Sequence, residues 1–365
     1  MRYNLYVKIV KVEWTTYQVK NKEPFRIAYG VSLGSTNVFV KVVLEDGTIG
    51  YGEACGSRKV TGETARTITC FMKDVANLLV GEDIYNLTKI IEKVCGFMKG
   101  NTAAKAAIDL ALHDVWAKVY GVPLFKALGG KVKNVETDYT IGIKDISSMC
   151  KEAKDFVEKG FTKLKIKVGV TPQEDIEIVK KIREEVGYDI ELRVDANQAW
   201  DPKTAVKVIN AITRYEIEFV EQPVPWWDLN GLKYVKDHVD VKIMADESVL
   251  TSKDALKVVK MEAVDLINIK LMKCGGLREA MKITSIAEAA GVKCMVGCMN
   301  ETSLSIAAAA HLAAATPNIV YCDLDSPLMI VNDPAKPPLK YIKGVIELPE
   351  NKGIGIDVEN VFKKQ

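Results

Sequence analysis

Nowhere in these 365 residues do two cysteines form a CxxC pair, and no cysteine clusters with a histidine. Cys55, Cys70, Cys95, Cys150, Cys274, Cys294, Cys298 and Cys322 are instead scattered through apolar segments, which argues against a zinc site or a disulfide framework and for reduced, mostly buried thiols. No apolar run reaches 18 residues, so nothing reads as a membrane span. Residues 1–20 carry Arg2, Lys8, Lys11 and Glu13 among their apolar positions, which breaks the core a signal peptide needs. The expected location is the cytoplasm. Excess charge of one sign is missing as well: 50 basic and 48 acidic residues nearly cancel, leaving no basic stripe for nucleic acid and no acidic tail. What the chain does have is 48% hydrophobic residues, ample for the core of one or two domains.

The pattern changes twice along the chain. Residues 6–17 alternate, residues 37–44 are rich in Val and Phe, and Glu45-Asp46-Gly47 is a hairpin turn signal, so the start reads as a β-meander. From Thr61 to about Leu128 the spacing becomes helical, most clearly over residues 101–120, until Gly121-Val122-Pro123 stops it. After Gly130, short Val/Ile-rich runs alternate with longer amphipathic stretches, the signature of βα units on a parallel sheet. Eight such strands are expected to end near Thr140, Lys167, Asp195, Glu221, Asp246, Lys270, Cys298 and Asp323, at intervals of 24 to 28 residues. Eight regular units favour a closed (β/α)8 barrel over an open doubly wound sheet. The expected organisation is an α+β capping domain over residues 1–130, the barrel over 131–330, and a proline-containing segment over 331–365 that packs back on the cap.

In such a barrel, polar residues at strand C-termini face the mouth, and six of the eight ends are Lys, Asp or Glu. One carboxylate at a strand end is more often a helix cap or a surface ion pair than a ligand. Three consecutive ends are a different matter. Asp195, Glu221 and Asp246 sit on neighbouring strands about 4.8 Å apart, close enough to converge on one ion. Oxygen ligands without His or Cys suit Mg2+. Lys165 and Lys167 share the inward face of the second strand, and Lys270 on the sixth lies across the ring. Two facing ammonium groups are expected to repel and so to depress a lysine pKa toward neutrality. Lys163 and Lys273 read as snorkelling lysines. A metal and Lys165 could stabilise the enediolate formed when a proton leaves the carbon beside a carboxylate, and bases on both faces could invert that centre.

Lys165-Ile166-Lys167-Val168-Gly169, Asp195-Ala196-Asn197, Val220-Glu221-Gln222-Pro223, Ala245-Asp246-Glu247-Ser248 and Asn268-Ile269-Lys270 resemble the motif set of the muconate lactonizing enzyme subgroup of the enolase superfamily. The resemblance runs over nearly the whole chain. It implies a capped barrel with Asp195, Glu221 and Asp246 on Mg2+ and Lys167 and Lys270 as an opposed acid/base pair. Tyr321-Cys322-Asp323-Leu324-Asp325-Ser326-Pro327 is similar to the DxD motif of dipeptide epimerases, which implies that Asp323 and Asp325 hold the free α-ammonium of a dipeptide. Residues 296–302, including Cys298, resemble the stretch that borders the peptide in that group, and Thr140 takes a similar first-strand place.

Two other enzymatic readings, N-succinylamino acid racemase and o-succinylbenzoate synthase, have substrates without a free ammonium. A reading of another class is a silent barrel that binds peptides. The side-chain pocket is expected from residues 24–30 and 55–62. Some Ala-Glu epimerases carry an arginine where this chain has Gly30, with Arg26 four residues earlier, so both an acidic and a hydrophobic second residue stay open. Oligomeric state stays open too, a homo-oligomer included.

Overall fold

The computed structural model describes residues 6–131 and 134–363, so Arg2 of the amino-terminal reading lies outside the described residues. The cap begins with three antiparallel strands in the order β1 (Ile9–Ile27), β2 (Gly30–Leu44) and β3 (Ile49–Ala54). The β2–β3 turn is where the Glu45-Asp46-Gly47 signal places it. Gly47 has φ +84°, and Asp46 Oδ1 accepts the Thr48 amide at 2.8 Å. β1 and β2 are much longer than their alternating stretches suggest. Pro24 masks the continuation in sequence, but β1 is an edge strand with a register shift between Lys20 and Phe25, so the missing amide costs no ladder bond. The extended β1–β2 hairpin reaches the barrel, where Arg26 O accepts the Ile143 amide at 2.9 Å.

Three helices follow, α1 (Ala65–Leu79), α2 (Leu87–Phe97) and α3 (Thr102–Val119). α1 starts at Thr64, whose capping box with Thr67 satisfies two end groups. α3 packs on β3 through small residues on both sides. A Cβ added at Gly52 would overlap the Ala107 carbonyl, and one at Gly50 the Ala111 carbonyl, so this strand face must be bare for the helix to seat.

The barrel chain runs α4 (Leu124–Ala127), β4 (Asn134–Glu136), β5 (Tyr139–Ile141), α5 (Ile146–Glu158), β6 (Lys163–Lys167), α6 (Pro172–Val186), β7 (Glu191–Asp195), α7 (Pro202–Ile212) and β8 (Ile217–Glu221). It continues through α8 (Leu229–Asp237), β9 (Lys242–Ala245), α9 (Ser252–Lys260), β10 (Leu266–Lys270), α10 (Leu271–Cys274), α11 (Leu277–Ala289), β11 (Lys293–Gly297), α12 (Ser303–Ala315) and β12 (Ile319–Asp323). β5 to β12 form one parallel sheet in sequential order, and the Asp138 amide reaches Cys322 O at 3.2 Å across the remaining seam. This is the expected (β/α)8-type barrel with an α+β cap. Sequence encodes the alternation locally. Asp145, Thr171, Asp201, Asp228 and Thr251 each cap the helix that follows, with Pro172 and Pro202 in the first turn of α6 and α7. α12 is apolar on all sides and buried throughout most of its length.

After α13 (Ser326–Met329), β13 (Lys340–Ile342) pairs with β14 (Val345–Glu347), which pairs with β4, in a small antiparallel sheet that the sequence pattern does not announce. The chain then returns to the cap through α14 (Glu359–Phe362), where Glu359 accepts from Lys41 Nζ at 2.9 Å and from Tyr51 Oη at 2.7 Å. No helix among the described residues is long and apolar enough to cross a membrane.

Candidate active site

A cavity of about 610 Å3 opens where the barrel mouth meets the β1–β2 hairpin. Its barrel wall includes Thr140, Lys167, Asn197, Asp246, Lys270, Cys298, Asp323 and Asp325. Its cap wall includes Phe25, Ile27, Tyr29, Val31, Leu33, Arg58, Lys59 and Val60. Lys167, Asp195, Glu221, Lys270 and Asp323 are each the last residue of their strand, and Asp246 and Cys298 stand one residue beyond theirs. That common height makes one site of residues spread from Lys167 to Asp323. Lys167 on β6 and Lys270 on β10 are four strands apart in the ring of eight, as read from sequence.

Beneath the cavity lies a dense charge network. Lys165 is fully buried and does not reach the cavity wall. Its ammonium bonds Asp323 Oδ2 at 2.6 Å and Glu221 Oε2 at 2.8 Å, with Asp195 Oδ2 at 3.3 Å. Lys167 bonds Asp195 Oδ2 at 2.5 Å, and Lys270 bonds Asp246 Oδ2 at 2.8 Å. The expected depression of a lysine pKa is not what this geometry produces. Burial pushes Lys270 down, but the carboxylates of Asp246 and Glu221 outweigh it and hold the ammonium well above the usual lysine range. Lys165 is raised in the same way, by Asp323, Glu221 and Asp195 against burial. The neighbouring acids, more than the partner lysine, set these values.

Lys273 is not the snorkelling lysine of the sequence reading. It is buried, with its ammonium on Asp246 Oδ1 at 2.6 Å, on the Asp246 carbonyl, and on Val249 O and Asn268 O at 3.1 Å each. The short helix α10 turns it back beneath β9. Asn268 Nδ2 likewise fixes Glu221 Oε1 at 2.7 Å. Lys163, by contrast, does sit partly exposed, in surface pairs with Glu136 and Glu191. Lys273→Met removes the buried ammonium shared by three carbonyls and the Asp246 carboxylate, leaving that carboxylate with Lys270 as its remaining lysine. It is expected to lower stability by about 3 kcal/mol or more, read as a shifted urea midpoint.

Six buried carboxyls (Asp195, Glu221, Asp246, Glu247, Asp323, Asp325) face four buried lysines (Lys165, Lys167, Lys270, Lys273). The surplus of negative charge shows in two of the acids. Burial, then the charges of Asp246 and Asp195, push Glu247 up to about 7. Burial and the Asp323 charge do the same to Asp325, also to about 7. Asp323 itself stays well below the usual carboxylate range because Lys165, Lys270 and Lys167 outweigh its burial. A divalent cation matches this surplus. Carboxylates on three consecutive strands, with the unpartnered buried oxygens of Asn197 and Glu247 beside them, form a hard donor set that suits Mg2+.

Each of those three carboxylates is turned to a lysine here. Among the described residues, the group whose donor atoms all lie within 4.8 Å of one another is instead Cys298, Asp323 and Asp325. That trio is a poor metal centre. Burial and the two aspartates push the Cys298 thiol well above its ordinary value, so it stays protonated, and its Sγ is 3.9 Å from Asp325 Oδ1. Thr140 completes this corner, its Oγ1 on Asp323 Oδ1 at 3.0 Å and its amide on Asp325 Oδ2 at 2.6 Å. Two adjacent carboxylates open to a cavity make a receptor for an ammonium group.

The chain matches two family models, the mandelate racemase / muconate lactonizing enzyme N-terminal domain over residues 9–129 and the enolase C-terminal domain-like family over residues 148–361. The chain belongs to the mandelate racemase and muconate lactonizing enzyme family. Within this family it is 42% identical over 339 residues to an L-Ala-D/L-Glu epimerase of Clostridium acetobutylicum, covering 92% of this chain and 95% of the relative. It superposes with a TM-score of 0.94 on the dipeptide epimerase of Enterococcus faecalis complexed with Mg and L-Leu-L-Tyr, at 45% identity and 96% and 99% coverage. An N-succinyl Arg/Lys racemase of Bacillus cereus superposes equally well, with a TM-score of 0.94 at 32% identity, covering 98% and 97%.

The cap wall was harder to read from sequence. Arg26 is exposed and is not part of the cavity wall. Lys59 lines it, but its ammonium is committed to the Tyr29 carbonyl and lies 5.2 Å from the centre of the Tyr29 ring. Tyr29 in turn donates to Glu247 Oε1 at 3.3 Å, joining the hairpin to the barrel floor.

Proposed function

We propose that this chain is a Mg2+-dependent dipeptide epimerase that inverts the C-terminal residue of an L,L-dipeptide by two-base 1,1-proton transfer. The observation that carries this reading is the placement of Asp323 and Asp325 in the same cavity as the opposed Lys167 and Lys270. The Enterococcus faecalis and Clostridium acetobutylicum relatives support it. Asp195, Glu221 and Asp246 would hold a Mg2+, which would supply positive charge beside a developing enediolate and offset the carboxylates that hold the Lys270 ammonium up. Lys167 and Lys270 face opposite sides of the substrate, so one removes the α-proton and the other returns a proton to the opposite face. Lys165 holds Asp323 and Glu221 in place from below. Asp323 and Asp325 take the α-ammonium and fix which carbon lies between the lysines.

The cap wall favours an apolar or aromatic second side chain. Phe25, Ile27, Val31, Leu33 and Val60 face it, Met299 and Met329 close it, and the Lys59 ammonium is committed to the Tyr29 carbonyl, although Arg58 lines the same wall. A cytoplasmic location accords with eight free thiols. The test is incubation of pooled L-Ala-L-Xaa dipeptides with enzyme and Mg2+ in D2O. A one-dalton gain at the second α-carbon is expected, greatest for large apolar Xaa. Label only in N-succinylated amino acids would assign the racemase reading instead. The absence of label from every pool, with metal bound, would leave a binding protein.

A further inference from the structure

The loop after β11, residues 298–302, forms one wall of the cavity yet has no regular structure of its own. Its position is set by side chains, most of them from the cap. Asn300 O accepts Asn37 Nδ2 at 3.0 Å and Ser35 Oγ at 3.3 Å. Thr302, the residue before α12, makes no side-chain cap for its own helix. A carboxylate from β3 does that work. Glu53 Oε1 accepts the Thr302 amide at 3.0 Å and Asn37 Nδ2 at 2.6 Å. Its Oε2 accepts Thr302 Oγ1 at 2.7 Å and the Ser305 amide at 3.3 Å. Glu53 is completely buried, and every one of these partners is a neutral donor.

The network continues to the acids that face the substrate. Ser326 Oγ, next to Asp325, donates to Glu301 O at 2.8 Å, and Cys298 packs on Asp325 Oδ1. We propose that Glu53 is a positioning residue for the ammonium subsite: it caps α12 from the other domain and so holds the loop of residues 298–302 against Asp325. Burial pushes the Glu53 carboxyl up to about 8, but the amides of Thr302 and Ser305 and the Asn37 Nδ2 aim N–H donors at both oxygens, so the requirement is for an acceptor on each. In Glu53→Gln one oxygen becomes an NH2 donor, and in either orientation of the amide a donor then faces a donor, with no change in volume. This inference rests on the dipeptide epimerase reading, because it assigns the loop to the substrate's amino end.

Two variants separate positioning from simple support of α12. Asp333 caps the same helix from the C-terminal segment, accepting the amide of Ser303, outside residues 298–302, at 3.0 Å. Glu53→Gln is expected to raise KM for a free dipeptide about ten-fold while kcat stays within about two-fold. Exchange of a desamino analogue, which has no ammonium, is expected to be unaffected, and Asp333→Asn is expected to leave KM unchanged. Equal loss with both substrates, or the same KM shift in Asp333→Asn, overturns the proposal.

A second readout needs no substrate. Amide hydrogen exchange at Thr302 and Ser305 is expected to quicken about ten-fold or more in Glu53→Gln, and unchanged protection overturns the proposal. Wild-type enzyme that labels no dipeptide would refute the epimerase reading, while the exchange experiment would still decide whether Glu53 holds the loop. If Glu53→Gln does not accumulate folded, Thr302→Val removes only the hydroxyl bond and carries the same comparisons at about three-fold.

Discussion

Lys270→Ala and Lys167→Ala each lose epimerisation by about 100- to 10,000-fold, and in D2O they fail in opposite ways. With one lysine gone, the survivor still faces one side of the substrate and still exchanges the α-proton of the enantiomer that presents it there. The two variants should therefore label opposite enantiomers, and neither should convert one into the other. The two lysines also pair with proposed metal ligands, Lys167 with Asp195 and Lys270 with Asp246, so a lost lysine alters the charge those acids feel. Direct titration of Mg2+ separates that effect, because enantiomer-selective exchange requires a loaded site whereas simple metal loss abolishes exchange of both. Chiral chromatography with mass detection of the label reads the result. Both variants labelling the same enantiomer, or either epimerising at the wild-type rate, would refute two-base transfer.

How much of this was legible in sequence follows from how far each contact reaches. The barrel repeats a local signal eight times, and Lys167, Asp195, Glu221, Lys270 and Asp323 could be placed because a strand end fixes both a position and a direction. Lys273 could not. Its three-residue offset from Lys270 looks like any surface lysine until α10 folds it under Asp246. Glu53 sits in a short cap strand and its main partner is 249 residues away, so no window contains both. Lys270 shows the same dependence on distance: Lys167 faces it across the ring, whereas Asp246 and Glu221, on strands closer to it, hold its ammonium up against burial. The hairpin length was hidden by Pro24, which an edge strand tolerates and a central one does not.

Asp325→Asn should raise KM for a free dipeptide by about 30-fold or more, since truncating one charge of a buried ionic contact typically costs 2 to 5 kcal/mol. The pH dependence gives a sharper test. Burial and the Asp323 charge push Asp325 up to about 7, so in the free enzyme its carboxyl is protonated below that pH and ionised above it. Only the ionised form attracts an ammonium. The kcat/KM of a free dipeptide should therefore rise with pH through about 7, since this ratio reports groups of the free enzyme and free substrate. Above about 8 the dipeptide's own α-amino group loses its proton, so the profile should turn down and leave a narrow optimum between the two. A desamino analogue has nothing for Asp325 to hold, and Asp325→Asn has nothing to ionise there. Both should lack the rise through 7, while a limb that came from Lys167 or Lys270 would survive in each. Persistence of the rise in Asp325→Asn would move the titration from the ammonium subsite to the acid/base pair.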